Sequence, residues 1–126
     1  MKSESRPVYL ELTKYRWPIT AIVSILHRVS GVALFLAIPL LLALTDYSLR
    51  SPMHFQQVQE TLARPLAKLV LFVIIAGLCY HLIAGVRHLI MDFNIGENLT
   101  AARTSSRLAI GMSIILSVIV GWGVLM

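Results

Sequence analysis

Three long apolar blocks, parted by shorter polar connections, organise this chain. The first runs from about Ile19 to Leu44, the second from about Leu66 to Met91 and the third from about Leu108 to Met126. Each is long enough to cross a hydrocarbon core of about 30 Å as a helix. Each also exceeds the length of a buried strand, and apolar residues occupy every face rather than one stripe. The pattern predicts an all-α membrane protein with three transmembrane helices, built as a single anchor domain over residues 1–126.

The polar segments carry their own signals. Residues 1–18 form an arm punctuated by Tyr9, Tyr15 and Trp17, residue types favoured at the water–lipid boundary. Pro18 suits a helix start, and Pro39 inside the first block predicts a bend. In the connection 45–64, Ser51-Pro52 reads as an N-cap and first helical position. Phe55, Val58 and Leu62 follow at helical spacing, so a short helix lying on the outer surface is expected. Asn94 and Gly96 are stop signals after the second block, and 93–107 reads as a polar inner connection. Gly111, Gly121 and Gly123 on the third helix permit close helix contact.

Composition agrees with a bilayer environment: 57% of the 126 residues are hydrophobic and 13% charged, about half the charge of a soluble domain. The net charge of +5 sits beside the apolar blocks, which speaks for membrane orientation rather than nucleic-acid binding. Lys2, Arg6, Lys14 and Arg16 precede the first block, and Arg87, Arg103 and Arg107 flank the second connection. The expected orientation is N-terminus inside and C-terminus outside. His27 and Arg28 interrupt the apolar core that a cleaved signal would need, so the first block is expected to be retained. A bacterial inner membrane is the expected location. Cys79 stands alone and reads as a small apolar packing residue.

Two clusters of ionisable residues lie within the blocks. Such groups are costly at bilayer depth and mark partners, cofactors or pathways. The second block carries His81, Gly85, Arg87, His88 and Asp92. His81 lies about 15 Å from the inner helix end, deep in the apolar zone. Neutral imidazole there is a good haem-iron ligand; the plainer alternative is a hydrogen-bonded histidine between helices. Gly85, one turn on, would leave room beside a flat macrocycle. His88 shares the His81 face about 10 Å away and cannot bind the same iron, so a second ligand would come from another chain. Arg87 and Asp92 read equally well as a snorkelling helix end.

The first block carries Ser24, His27, Arg28, Ser30 and Gly31. Ser24 and Arg28 are four apart and share a face. A hydroxyl donor beside a fixed cation suits a quinone carbonyl, whose oxygen gains negative charge on reduction. The alternative has Arg28 neutralising a lipid headgroup or a neighbouring helix. His54 reads as a surface residue, and Met91, Met112 and Met126 as lipid-facing or packing residues.

At these residues the chain resembles the cytochrome b556 subunits of succinate dehydrogenase. The likeness rests on Arg6-Pro7-Val-Tyr-Leu, on Ser24-x-x-His27-Arg28-x-Ser30-Gly31 and on His81-x-x-x-Gly85-x-Arg87-His88-Leu89-x-x-Asp92. The resemblance implies a three-helix anchor paired with a second anchor, together holding one haem b and a ubiquinone site beneath an iron–sulfur subunit and a flavoprotein subunit. It implies His81 as axial haem ligand and metal-binding residue, Ser24 and Arg28 as quinone contacts, and His27 near the haem propionates with Arg28 in reach of them. The second iron ligand would come from the partner anchor. On this view the chain is no enzyme by itself. It would help electrons from succinate oxidation reach the quinone pool. The rival readings are a fumarate reductase-type anchor, a non-redox membrane adaptor and a homodimeric b-type electron carrier.

Overall fold

The structure is a computed structural model that describes residues 16–125, excluding the side chain of residue 125. The arm residues Tyr9 and Tyr15, the first motif from Arg6, and Met126 lie outside the described residues. Four helices follow one another: α1 (Ile19–Leu49), α2 (Pro52–Leu62), α3 (Pro65–Asp92) and α4 (Leu99–Leu125). There is no strand among the described residues. Three of the helices, α1, α3 and α4, are long and apolar enough to cross a membrane.

α1 begins after Pro18 as expected and continues unbroken through Pro39. It extends past the expected Leu44 to Leu49. The polar residues of that extension satisfy themselves locally: Thr45 donates to the Leu41 carbonyl at 2.8 Å and Ser48 to the Thr45 carbonyl at 2.7 Å. At about 46 Å it exceeds the hydrocarbon thickness, so it tilts or protrudes.

α2 is the short helix expected in the connection. The Ser51 hydroxyl accepts from the His54 N–H at 3.2 Å, and Pro52 occupies the first turn. His54 is not the plain surface residue expected. Its ring is half-buried, with Nδ1 2.7 Å from Ser51 Oγ and its face 4.5 Å from the Tyr47 ring in an edge-on contact. Tyr47 also donates to Gln57 Oε1 at 2.7 Å, so α2 is fastened to the end of α1.

α3 runs within one residue of the expected bounds at each end. Its exit uses the residues expected to stop it: Asn94 (φ 60°) and Gly96 (φ 75°) both take left-handed conformations. The connection to α4 is shorter than expected, because α4 starts at Leu99 and not near Leu108. Asn98 caps it by accepting the Ala101 N–H at 2.8 Å.

α3 is the central element and packs on both α1 and α4. The α3-facing stripe of α4 is made of small residues: Ala102, Ser106, Ala109 and Ser113 are all buried. The two serines return their hydroxyl protons to Ala102 and Ala109 carbonyls on their own helix, at 2.8 and 2.6 Å. Small side chains with no unmet polar group let the backbones approach closely. Of the three glycines expected at this contact, Gly121 lies against the Phe72 ring, whereas Gly111 and Gly123 face open space. Cys79 is buried, as its packing reading requires. Large apolar side chains such as Phe35, Leu36 and Trp122 stay about two-thirds exposed, which suits lipid or another membrane chain.

Candidate functional site at the α1–α3 crossing

α1 and α3 meet through imidazole rings. His27, two turns into α1, stacks on His81 of α3 with ring centroids 4.2 Å apart and planes 13° from parallel. On its other side lies His88, 5.1 Å away and tilted by 47°. His81 and His88 are seven residues apart on one face of α3, and His27 enters between them. Thus the two sequence clusters, found on separate helices, form one site.

Glycines make the crossing possible. Gly85 lies between His81 and His88, and a Cβ there would stand 3.2 Å from His27 Nε2. Gly31 lies one turn beyond His27, and a Cβ there would stand 2.9 Å from His81 Cε1. Each helix therefore offers a side-chain-free notch that receives the other helix's histidine. This corrects the expected use of Gly85: its space holds the His27 ring rather than standing open beside a macrocycle.

Hydrogen bonding fixes the His81 ring. Its Nδ1 lies 3.1 Å from the His27 carbonyl and 3.1 Å from Ser30 Oγ. The carbonyl can only accept, so Nδ1 carries the proton. Ser30 sends its own hydroxyl proton to the same carbonyl at 2.9 Å, which leaves its oxygen able to accept from Nδ1. His81 Nε2 is thereby the nitrogen with the lone pair. Metal-bound imidazoles are held in this way, with one nitrogen donating to a carbonyl and the other on the metal. His81 accordingly fits an axial ligand to an iron whose remaining ligands come from elsewhere. The described residues contain no group of three or more His, Cys, Asp or Glu side chains placed to hold an ion.

Two further side chains strengthen the same frame: Tyr80, unmarked by the sequence reading, and Arg87, a member of the second cluster. Tyr80, beside His81, donates to the Val23 carbonyl at 2.8 Å, one turn before His27. Arg87, for which a snorkelling helix end was an equal alternative, is buried. Its Nε donates to Ser105 Oγ at 3.0 Å and its Nη2 to the Ala102 carbonyl at 3.2 Å, joining α3 to α4. His88 Nε2 is buried and meets no partner among the described residues. Helical spacing marks which face these residues share; it does not mark which carbonyl of the next helix they meet.

Ser24 and Arg28 lie one turn apart on α1, Ser24 half-buried and Arg28 exposed. Neither bonds to the histidine cluster. Arg28 is near enough to His88 for their charges to interact. An exposed cation beside a hydroxyl, next to a histidine cluster, can receive a carbonyl oxygen that gains charge. Asp92 is exposed at the end of α3.

Comparison with known proteins agrees with this architecture. Residues 2–120 match the family of succinate dehydrogenase/fumarate reductase transmembrane subunits. A succinate dehydrogenase cytochrome b556 subunit of Coxiella burnetii is 37% identical over 117 residues, covering 92% of this chain and 94% of that protein. The cytochrome b556 subunit of Paracoccus denitrificans is 34% identical over 115 residues, covering 91% and 88%. The mitochondrial cytochrome b560 subunit of Dictyostelium discoideum is 30% identical over 120 residues, covering 94% of this chain and 62% of that longer protein. With a full-length family match, close relatives of the same length and three helices fit to cross a membrane, the chain belongs to the succinate dehydrogenase/fumarate reductase transmembrane subunit family.

Proposed function

We propose that this chain holds haem b through His81 and contributes Ser24 and Arg28 to a ubiquinone site. It is a membrane-anchor subunit of succinate dehydrogenase, in a bacterial inner membrane, and electrons from succinate oxidation pass through the complex to the quinone pool. The observation that carries the haem assignment is the His81 Nδ1 bond to the His27 carbonyl, which turns Nε2 into the free ligand nitrogen.

Bound haem supplies a one-electron redox centre of b type. The residues of this chain do the positioning. Gly31 admits the His81 ring, Ser30 and the His27 carbonyl orient it, and the flat stack of His27 restricts its rotation. A second iron ligand would come from a partner anchor, since His27 stacks on His81 and His88 shares its helix face. His27 and Arg28 would lie near the propionates of a bound haem. Ser24 donates to the quinone carbonyl, and the Arg28 charge stabilises the oxygen as it becomes negative. The iron–sulfur and flavoprotein subunits complete the enzyme, so this chain binds and orients without catalysing alone. Arg16 just before α1, Arg87 near the end of α3, and Arg103 and Arg107 in the first turns of α4 support an orientation with the N-terminus inside and the C-terminus outside.

A reduced-minus-oxidised visible spectrum of the gently purified native complex tests the assignment. A low-spin b-type signal, lost or shifted in His81→Ala, is the expected result. An unaltered signal in that variant, or no signal in intact wild-type complex, overturns it. For the quinone site, Arg28→Ala is expected to lower succinate–quinone activity by about tenfold or more while succinate–dye activity persists. Equal loss of both activities would mean failed assembly rather than a quinone contact.

A further inference from the structure

On the side of α3 opposite the histidine cluster, an apolar groove of about 540 Å³ runs between α3 and α4. Val86, Ile90 and Ile95 line one flank, and Leu108 and Met112 line the other. Arg87 and Ser105 supply its polar floor. The size is that of a ligand cleft. Its polar part lies near one end of the bundle, since Arg87 is only about 8 Å along the helix from Asp92. From there the groove continues into the apolar depth, to Leu82 and Met112.

Arg87 is the anomaly in this groove. It is 7% exposed, it carries a permanent positive charge, and no carboxylate among the described residues lies within ion-pair distance. Ser105 Oγ and the Ala102 carbonyl engage two of its five N–H donors, and both acceptors are neutral. Buried charges are ordinarily paired, because an unpaired one carries a large desolvation cost. No described residue supplies the anion, and its source must suit a site that is cationic at one end and hydrocarbon-like beyond. An anionic amphiphile meets both conditions. A free phosphate ion uses none of the apolar lining, and a protein carboxylate leaves the groove beyond it unfilled.

The geometry points to a phospholipid site: an anionic headgroup phosphate on the Arg87 guanidinium, and one acyl chain laid in the α3–α4 groove. Basic pockets between membrane helices at headgroup depth bind anionic lipids in this manner. The location separates this site from His81, on the opposite face of α3, and from Ser24, His27 and Arg28 on α1, so it stands independently of their roles.

The test uses the intact complex, solubilised in detergent and stripped of lipid. Phosphatidylglycerol and, separately, phosphatidylcholine are titrated in, and bound lipid is counted by native mass spectrometry. The expected result is one phosphatidylglycerol per copy of this chain, held in preference to phosphatidylcholine. Arg87→Gln weakens that binding by about tenfold, the loss of a charge-assisted contact. Met112→Trp fills the groove while leaving Arg87 in place, and it weakens binding to a similar degree. If Arg87→Gln prevents assembly, Met112→Trp decides alone. Equal binding of the two lipids, or binding unchanged in Met112→Trp, overturns the proposal. So does an Arg87→Gln complex that sheds a protein subunit while keeping its lipid, because the counter-ion is then a protein carboxylate.

Discussion

α3 presents two interfaces of opposite character. Toward α1 it is aromatic and polar: histidine rings seat in glycine notches, and side chains reach the main-chain carbonyls of Val23 and His27. Toward α4 it is smooth: alanines and serines bring the backbones close, and the buried Ser106 and Ser113 bond within their own helix. The α1 side spends bulk on a few oriented rings. The α4 side removes bulk to gain uniform contact, with Arg87 as a charged tie. One helix thus separates positioning from adhesion. Damage to one interface should leave the other's signature intact.

The sharpest way to break the separation is at a notch. Gly31→Ala places a methyl group 2.9 Å from His81 Cε1, so the ring must move. The expected result is a shifted or absent b-type spectrum with subunit assembly retained; an unchanged spectrum would show that the notch does not position His81. Overpacking the other face acts differently. Ser106 is fully buried, and Ser106→Leu is expected to cost about 1–3 kcal/mol of helix-packing stability. Thermal melting of the complex should fall while the spectrum of the surviving fraction keeps its shape.

These two faces were unequally legible in the sequence. Helix α3 was readable almost to the residue, because its apolar run is closed by Pro65 and by Asn94 and Gly96. The start of α4 was not. Thr100, Arg103, Ser105 and Arg107 look like a polar connection, yet Asn98 caps a helix there, Thr104 donates back to the Thr100 carbonyl and Ser105 accepts from Arg87 of α3. The histidines were legible as unusual residues at depth, and their spacing showed that His81 and His88 share a face. That His27 lies between them was not legible, since the crossing of two helices sets it. For the same reason Gly85 was assigned a cofactor-facing space that His27 fills, and Gly111 and Gly123 a contact that neither makes. Arg87 was left open between a site residue and a snorkelling helix end, and only tertiary packing shows it buried. The family itself was legible from the three motifs, and the match over residues 2–120 bears that out.

Smaller effects sharpen the comparison further. Tyr80→Phe removes one bond to the Val23 carbonyl and is expected to cost about 0.5–1.5 kcal/mol, read as a modest drop in melting temperature. The b-type spectrum should change little, because His81 keeps its own carbonyl. Smallest is Gly111→Ala. A Cβ there meets nothing within 4 Å, so stability should be unchanged or rise by up to about 1 kcal/mol through better helix propensity. A loss of stability in that variant would mean that a neighbouring chain covers Gly111.

The acceptor that orients His81 is a backbone oxygen, and this has a consequence for how the site withstands mutation. Every amino acid at position 27 brings the same carbonyl, so no single substitution there deletes the acceptor. A change of residue 27 alters the stacked ring and leaves the hydrogen bond available. Only an alteration of helix register removes it: one residue inserted between Val23 and His27 would turn the following carbonyl by about 100° and carry it about 1.5 Å along the axis. The ligand's orientation is therefore inherited through the spacing of the helix and is sheltered from the identity of the residue that provides it.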